Sequence, residues 1–451
     1  MKKINKIIGM KKTDFDQLVS DKEILLRSAK LIPTSKPGDE ITLTSIFLSS
    51  IRLIKEFRTL LIKPTDIRIN GKIYVYTEVD FGQVSNGERF DGLLILVRAG
   101  VIHEAVLFEM KNKGDVINKD QLLKYLNIAK EVGIKNFITI SNQFVLSPTQ
   151  YPIDIKIPKG MNLYHFSWSY ILTIAHILLF NNNTNIDDVD QVEIMKEVVA
   201  YYEHNISGIY GFSQMKPGWK VVVERIISGT QLKSNCQDII ETVESWLQEE
   251  KDLALILSRG LGLFVKSGET KFKNNYQARI EHDKKILMKD KCLSSKLVIS
   301  NAVSNVNVIA YLDKRSIEMS VYLNAPEDKM NRGKIGWIKR QLEYAQKCNE
   351  NEFNKIKDDI RVGIFVKYAN ALIKIKIEKL DDVCDELTSK EIKYFEIYYI
   401  KDLGKKFSSR RKFVEIIEEM LIDYYSGIVQ NLKKWNKPAP KISEKSIIDV
   451  E

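Results

Sequence analysis

The chain has 451 residues, is 44% hydrophobic and 28% charged, and carries a formal net charge of +10. Its longest apolar segment, 170–180, is too short for a membrane span and is interrupted by His176, so a globular protein is expected and a membrane-spanning one is not. Cys236, Cys292, Cys348 and Cys384 are too scattered for a disulfide framework or a zinc pattern, and the basic start, 1–12, lacks the apolar core of a secretory signal, so a reduced, cytoplasmic setting is expected.

The charge is uneven. Residues 1–180 hold 25 Lys and Arg against 18 Asp and Glu, while the other 271 residues carry only +3. A basic first part suits a nucleic-acid binder, although a general bias toward lysine produces the same count. In chain order, 1–40 is basic with Pro33 and Pro37 as breakers, and 42–61 reads as an amphipathic helix ending before Pro64. Residues 72–81 read as a strand and 82–87 as a turn-rich loop.

The stretch from Arg89 to Tyr125 carries the chemistry. Residues 93–97 and 105–108 are unbroken apolar runs, as in strands buried in the middle of a sheet, and Arg98-Ala99-Gly100 lies between them as a turn. Folded antiparallel about Gly100, the hairpin sets Asp91 and Glu109 side by side at its far end. Side chains alternate along a strand, so Lys111 returns to the side of Glu109. Two adjacent carboxylates are costly without a cation between them, and a hard divalent ion such as Mg²⁺ is the usual solution. The Met110 carbonyl is one more oxygen for such an ion, and the Lys111 ammonium can orient a water and stabilise charge developing on a phosphate. Asp80 is a rival to Asp91 but lacks the hairpin symmetry. The competing reading is a solvated ion cluster at a surface hairpin end.

Asp91 followed by Glu109-Met110-Lys111 resembles the PD-(D/E)xK, restriction-endonuclease-like nuclease superfamily, and Gln121-Leu-Leu-Lys-Tyr125 resembles the Gln-x-x-x-Tyr helix of one branch of it. The likeness covers about the first 180 residues, with Phe90 where a proline often precedes the aspartate. It implies Mg²⁺ or Mn²⁺ on Asp91 and Glu109, catalysis helped by Lys111, Gln121 and Tyr125, and a nucleic-acid substrate, DNA before RNA. In related nucleases a glutamate of the first core helix often joins the metal; Glu56 is that candidate, with Glu40 second. Arg89, Lys113, Lys119 and Lys124 stand where a phosphate backbone would pass. A catalytically silent nucleic-acid binder on the same scaffold is the alternative.

Beyond Tyr125 the helix runs to about Val132, with Asp120 read as its cap. Strands at 136–141 and 161–168 and a helix at 169–180 complete the expected core. Residues 181–190 read as a linker, 207–219 as an interdomain packing loop with glycines and aromatics, and 181–290 as a mainly helical connection. A second domain, 291–432, is α+β, with strands at 296–299, 306–312, 317–323, 361–368 and 373–377, helices at 337–348 and 413–432, and no recognisable chemistry. Residues 433–451 read as a flexible tail. The expected fold is therefore α/β, a restriction-endonuclease-like mixed sheet flanked by helices, then a helical segment and the α+β domain. A nuclease followed by a sensing or specificity domain resembles bacterial restriction and antiphage effectors. That architecture implies an activating ligand on the C-terminal domain, a homo-oligomer or a partner defence protein, and no membrane.

Overall fold

The computed structural model describes residues 6–32, 36–145, 148–180, 185–233, 236–268, 272, 275–367, 373–382 and 391–437. Pro33, the 181–184 part of the expected linker and the 438–451 part of the expected tail lie outside them. The chain is mixed α/β, with two sheets in two units: 1–216 with 241–265, and 217–240 with 266–451. Among the described residues no helix is long and apolar enough to cross a membrane.

The first unit grows from the hairpin. After α1 (Lys12–Ser20), β1 (Leu25–Ser28), α2 (Glu40–Leu53), α3 (Lys55–Ile62) and β2 (Lys72–Asp80) come its two strands, β3 (Phe90–Arg98) and β4 (Val101–Met110). Arg98 pairs with Val101 across a two-residue turn in which Ala99 (φ 47°) and Gly100 (φ 76°) both take positive φ, the turn geometry that follows strand twist. Past one irregularity at Leu96/Val97, Gly92 pairs with Phe108, one step from Asp91 and Glu109. The pairing counted outward from Gly100 is therefore the register found.

The helix expected over 42–61 is broken at Ile54, which is extended (φ −109°, ψ 104°) between α2 and α3. Arg58 Nη1 donates to the carbonyls of Ile51 (2.7 Å) and Arg52 (3.2 Å), satisfying acceptors that the break exposes.

α4 (Lys119–Glu131), β5 (Asn136–Ser141), β6 (Asn162–Ser167), α5 (Trp168–Phe180) and α6 (Val189–Glu203) follow. The sheet order is β1-β2-β3-β4-β5-β6, antiparallel through β4 and parallel from β4 to β6. α2, α3, α5 and α6 share one core with Leu94, Val106 and Phe108; α4 packs on the other with Phe90, Leu93 and Phe137. Both sheet faces are covered, which is why the strands read as continuous apolar runs.

Ile186 and the α6 residues Val192, Met195, Val198 and Tyr202 belong to the first of these cores. The chain thus stays in the first unit past the boundary expected at 181–190. It passes into the second unit for α7 (Gly218–Ile227) and returns within α8 (Gln237–Leu261). There Asp252 accepts from Ser169 Oγ (3.0 Å) and Phe212 N (2.6 Å), and Arg259 donates to Ser169 and Thr173 on α5. A chain ending at residue 180 is accordingly expected not to fold, because these core side chains and buried partners are lost together. Circular dichroism of the fragment tests this; a cooperative melt near that of the full chain would contradict it.

His165 on β6 is fully buried. Its Nε2 donates to the Gln143 carbonyl (2.9 Å), and its Nδ1, 2.8 Å from Thr139 Oγ1, is left as the acceptor. Burial pushes the imidazole down to about 4, with the Gln143 bond opposing. The unfolded chain, titrating near 6.5, binds the extra proton between these values, so stability is expected to fall as pH drops from about 6.5 to about 4, by up to about 3 kcal/mol. Urea melts of wild type and His165→Gln across that range check this; equal pH slopes would contradict it.

The second unit holds β7 (Lys266–Ser267), α9 (Tyr276–Asp290), β8 (Cys292–Val298), β9 (Val306–Tyr311), β10 (Ser316–Asn324), α10 (Asn331–Cys348), α11 (Glu350–Ile356), β11 (Ile360–Val366), β12 (Ile373–Ile375), β13 (Ile392–Asp402) and α12 (Arg410–Gly427). Its antiparallel sheet runs β12-β11-β13-β10-β9-β8-β7. The strand expected at 361–368 reaches to Tyr368, outside the described residues. β13, near the middle of the sheet, was not among the expected strands.

Candidate active site

The hairpin brings Asp91 and Glu109 together, and α2 adds a third carboxylate. Lys111 Nζ lies 2.8 Å from Glu109 Oε1 and donates to Glu40 Oε1 at 3.0 Å. Asp91 Oδ2 accepts the Met110 N–H at 2.6 Å, which ties the two strands beyond their last paired residues. Met110 contributes this amide, and its side chain is buried in the core shared with α2.

Glu109 is buried, its side chain only 4% exposed, and its partners are charged or ionisable groups: Lys111 Nζ 2.8 Å from Oε1, and the Asp91 carboxyl beside it. Burial, then the neighbouring Glu109, raises the Asp91 carboxyl well above its usual range. Burial also raises Glu109, with Lys111 pulling the other way. Burial and then Asp91 raise Glu40. For Lys111 burial works against the ammonium, but Glu109 and Asp91 outweigh it and hold the group raised and charged. Two carboxyl groups in such contact share a proton unless a cation takes its place.

That arrangement fits a divalent cation. The Glu109 and Asp91 carboxyls, set against each other, form an oxygen donor pair, and a Mg²⁺-like ion would complete its shell with waters and substrate oxygens. Among the described residues no group of three or more His, Cys, Asp or Glu side chains is gathered to hold a metal alone.

Glu40, rather than Glu56, is the helix carboxylate at this cluster. Glu56 lies on α3, where the charge it acts on is Arg58, and it is absent from the groups acting on Asp91, Glu109, Lys111 or Glu40. The reason is distance along the helices: Glu56 lies sixteen residues beyond Glu40, about 24 Å along even an unbroken helix. Asp80, the rival aspartate, accepts from Gly82 N (2.8 Å) and from Ser85 Oγ, and so closes the 81–85 turn.

The α4 pair sits beside the carboxylates. Gln121 Nε2 donates to Tyr125 Oη (2.9 Å), which donates to the Arg89 carbonyl (2.8 Å), pinning the entry to β3. The phenol is pushed up to about 12 by burial and then by Glu109, so it stays neutral. Asn118, not Asp120, caps α4, accepting from the amides of Asp120 and Gln121. Lys113 and Lys119 are exposed, and Lys124 lies 3.6 Å from Glu88. The Lys113 backbone is clamped: its N–H donates to the Gly208 carbonyl (3.0 Å), and its carbonyl accepts from Asn142 (2.9 Å) and from the Tyr210 hydroxyl. The 207–210 segment, expected as interdomain packing, therefore braces the loop after Lys111 within the first unit.

Two positioning residues had no sequence signal. Asn112, buried, donates to the carbonyls of Gly38 (3.2 Å) and Ser207 (3.0 Å), joining the residue after Lys111 to the turn before Glu40. Gly38 has φ 83°, and a Cβ there would collide with the Ile206 backbone, so the turn needs glycine. Trp168 Nε1 donates to the Lys111 carbonyl at 2.8 Å. Asn112→Ala is expected to cost about 1–3 kcal/mol, since two buried carbonyls lose their donor, and to loosen Glu40 from Lys111. Denaturant melts with a cleavage assay check this; unchanged stability would show that water replaces the amide.

No protein-family model matches the chain, and neither a curated protein nor a solved structure matches it.

Proposed function

We propose that this chain is a divalent-metal-dependent nuclease that hydrolyses phosphodiester bonds, with DNA as substrate, and that its first unit is restriction-endonuclease-like. One observation carries the reading: Asp91 and the buried Glu109 meet at a hairpin end with Lys111 2.8 Å from Glu109. A purely structural ion cluster gains little from burying two adjacent carboxyls beside one lysine. The antiparallel hairpin followed by parallel β5 and β6, with α4 carrying Gln121 and Tyr125 against the site, supports the family likeness.

In this reading Asp91 and Glu109 hold Mg²⁺ or Mn²⁺, which supplies Lewis acidity toward the phosphate and an acidified water when bound. Lys111 is kept protonated by its two acidic neighbours, and so serves as a hydrogen-bond donor to the attacking water and to the non-bridging phosphate oxygens. Glu40 holds that ammonium in place. Gln121 and Tyr125 fix the Arg89 carbonyl and with it the start of β3. Water attacks phosphorus and gives up a proton to solvent, the P–O bond to the leaving oxygen breaks, and that oxygen takes up a proton from solvent. Lys113, Lys119 and Arg89 are the cations nearest in sequence for the flanking phosphates.

The test incubates full-length protein with linear and circular DNA, and with RNA, in Mg²⁺, Mn²⁺ or EDTA. Cleavage that needs the metal is the expected result. Cleavage persisting in EDTA would overturn the assignment, and RNA-only cleavage would overturn the choice of DNA.

A further inference from the structure

The segment 206–210 stands beside the Asp91 cluster and carries side chains that the proposed chemistry does not use. We propose that Tyr210 stacks on a nucleobase close to the scissile phosphate, so that the substrate is single-stranded DNA. The position of that phosphate rests on the nuclease reading.

The backbone sets the place. Asn112 donates to both the Gly38 and Ser207 carbonyls, and the Lys113 N–H donates to the Gly208 carbonyl. Lys113 lies two residues beyond Lys111, at most about 7 Å of extended chain. The Tyr210 hydroxyl donates to the Lys113 carbonyl, which brings the ring to the same loop. Ile206, at the other end of the segment, lies against Gly38, two residues before Glu40. Ile206 and Tyr210 are each 42% exposed, so apolar surface faces water on both sides of this clamp.

The ring is presented rather than packed. Its hydroxyl is held at Lys113, and its backbone N–H donates to Asn142 Oδ1 at 3.3 Å. Bracing the loop does not account for it, because Asn142 Nδ2 already donates to the Lys113 carbonyl (2.9 Å) and to the Gly208 carbonyl (2.8 Å). What the phenol adds is an aromatic face fixed in water, which a base covers with little loss of side-chain freedom. Lys113 and Lys36 are exposed, one in the loop after Lys111 and one in the turn before Glu40, and supply positive charge for the phosphates on either side of that base. Cations beside a stacking ring are the arrangement that holds single strands. Asp115, the acid of the same loop, acts on Glu40 and so belongs to the carboxylate side. In a closed duplex both faces of a base are covered by its neighbours, so only an unpaired strand offers Tyr210 a face.

The experiment titrates full-length protein in EDTA with a short single-stranded oligodeoxynucleotide carrying 2-aminopurine, and with the duplex of the same sequence. Anisotropy reads binding and 2-aminopurine quenching reads stacking. Wild type is expected to bind the single strand with quenching. Tyr210→Ala should weaken that binding roughly 5- to 150-fold and leave the duplex unaffected. Tyr210→Phe, which loses the hydroxyl but keeps the ring, should bind the single strand nearly as wild type does. Thermal melts check folding, and Tyr210→Leu replaces Tyr210→Ala if the latter does not fold. Tyr210→Phe as weak as Tyr210→Ala, equal losses for duplex and single strand, or no quenching in wild type would reduce Tyr210 to a brace and overturn the proposal. Cleavage in Mg²⁺ separates it from the reading beneath it. Metal-dependent cleavage of duplex alone would overturn this proposal and keep the nuclease. Tyr210-dependent stacking with no cleavage in any metal would overturn the nuclease and keep Tyr210 as a base contact.

Discussion

Asp91→Asn and Glu109→Gln are each expected to reduce metal-dependent cleavage by about a thousandfold or more. In EDTA Asp91→Asn is expected to be as stable as wild type, or more stable by about 1 kcal/mol, because it removes one member of a repelling buried pair, while Glu109→Gln, which also gives up the ion pair with Lys111, is expected to stay near wild type. Asn at 91 can still accept the Met110 N–H, so strand geometry is kept. Lost activity with stability kept or raised is the signature of a site whose arrangement serves a ligand. Cleavage rates, Mn²⁺ calorimetry and thermal melts in EDTA read the three quantities. A variant that cleaves at the wild-type rate, or that loses activity only because it unfolds, would remove Asp91 and Glu109 from the proposed chemistry.

Lys111→Met is expected to leave metal affinity within a few fold and to lower turnover by about 10² to 10⁴. The ammonium contacts the carboxylates from the side of Glu109 and Glu40, and an ammonium cannot itself coordinate a cation. In EDTA this variant should be less stable than wild type, unlike the carboxylate variants, since Glu109 and Glu40 lose their counter-charge. Single-turnover rates at saturating metal, with calorimetry, separate the effects. Lost metal affinity with near-normal turnover at saturation would reassign Lys111 to site assembly.

The hairpin was legible because two buried apolar runs flank a short turn; counted from Ala99-Gly100 alone the register would be one residue off, and the irregularity at Leu96/Val97 brings Gly92 opposite Phe108, as the symmetry about Gly100 requires. The α4 pair was legible because residues four apart share a helix face, and Gln121 and Tyr125 do meet, at 2.9 Å. The cap of α4 was misplaced by two residues, since Asn118 and Asp120 are equally good cap types and only backbone geometry separates them. β13 was missed although it alternates. Its charged ends and its Glu396 leave one face polar, and only burial of Phe395, Ile397 and Tyr399 against the helices marks it as an inner strand.

The sequence by itself determined which groups meet inside one hairpin and along one helix: Asp91 with Glu109, Lys111 on the Glu109 side, Gln121 with Tyr125. Those are contacts between residues whose separation is set by a strand or helix period. Only the tertiary structure decided that Glu40 rather than Glu56 joins Lys111, that Asn112 and Trp168 hold the lysine's backbone, and that 186–203 and 241–261 complete the first unit. Each depends on where an element far along the chain comes to lie. A buried amide that reads as an ordinary loop asparagine, such as Asn112, settles such a position without leaving a periodic trace.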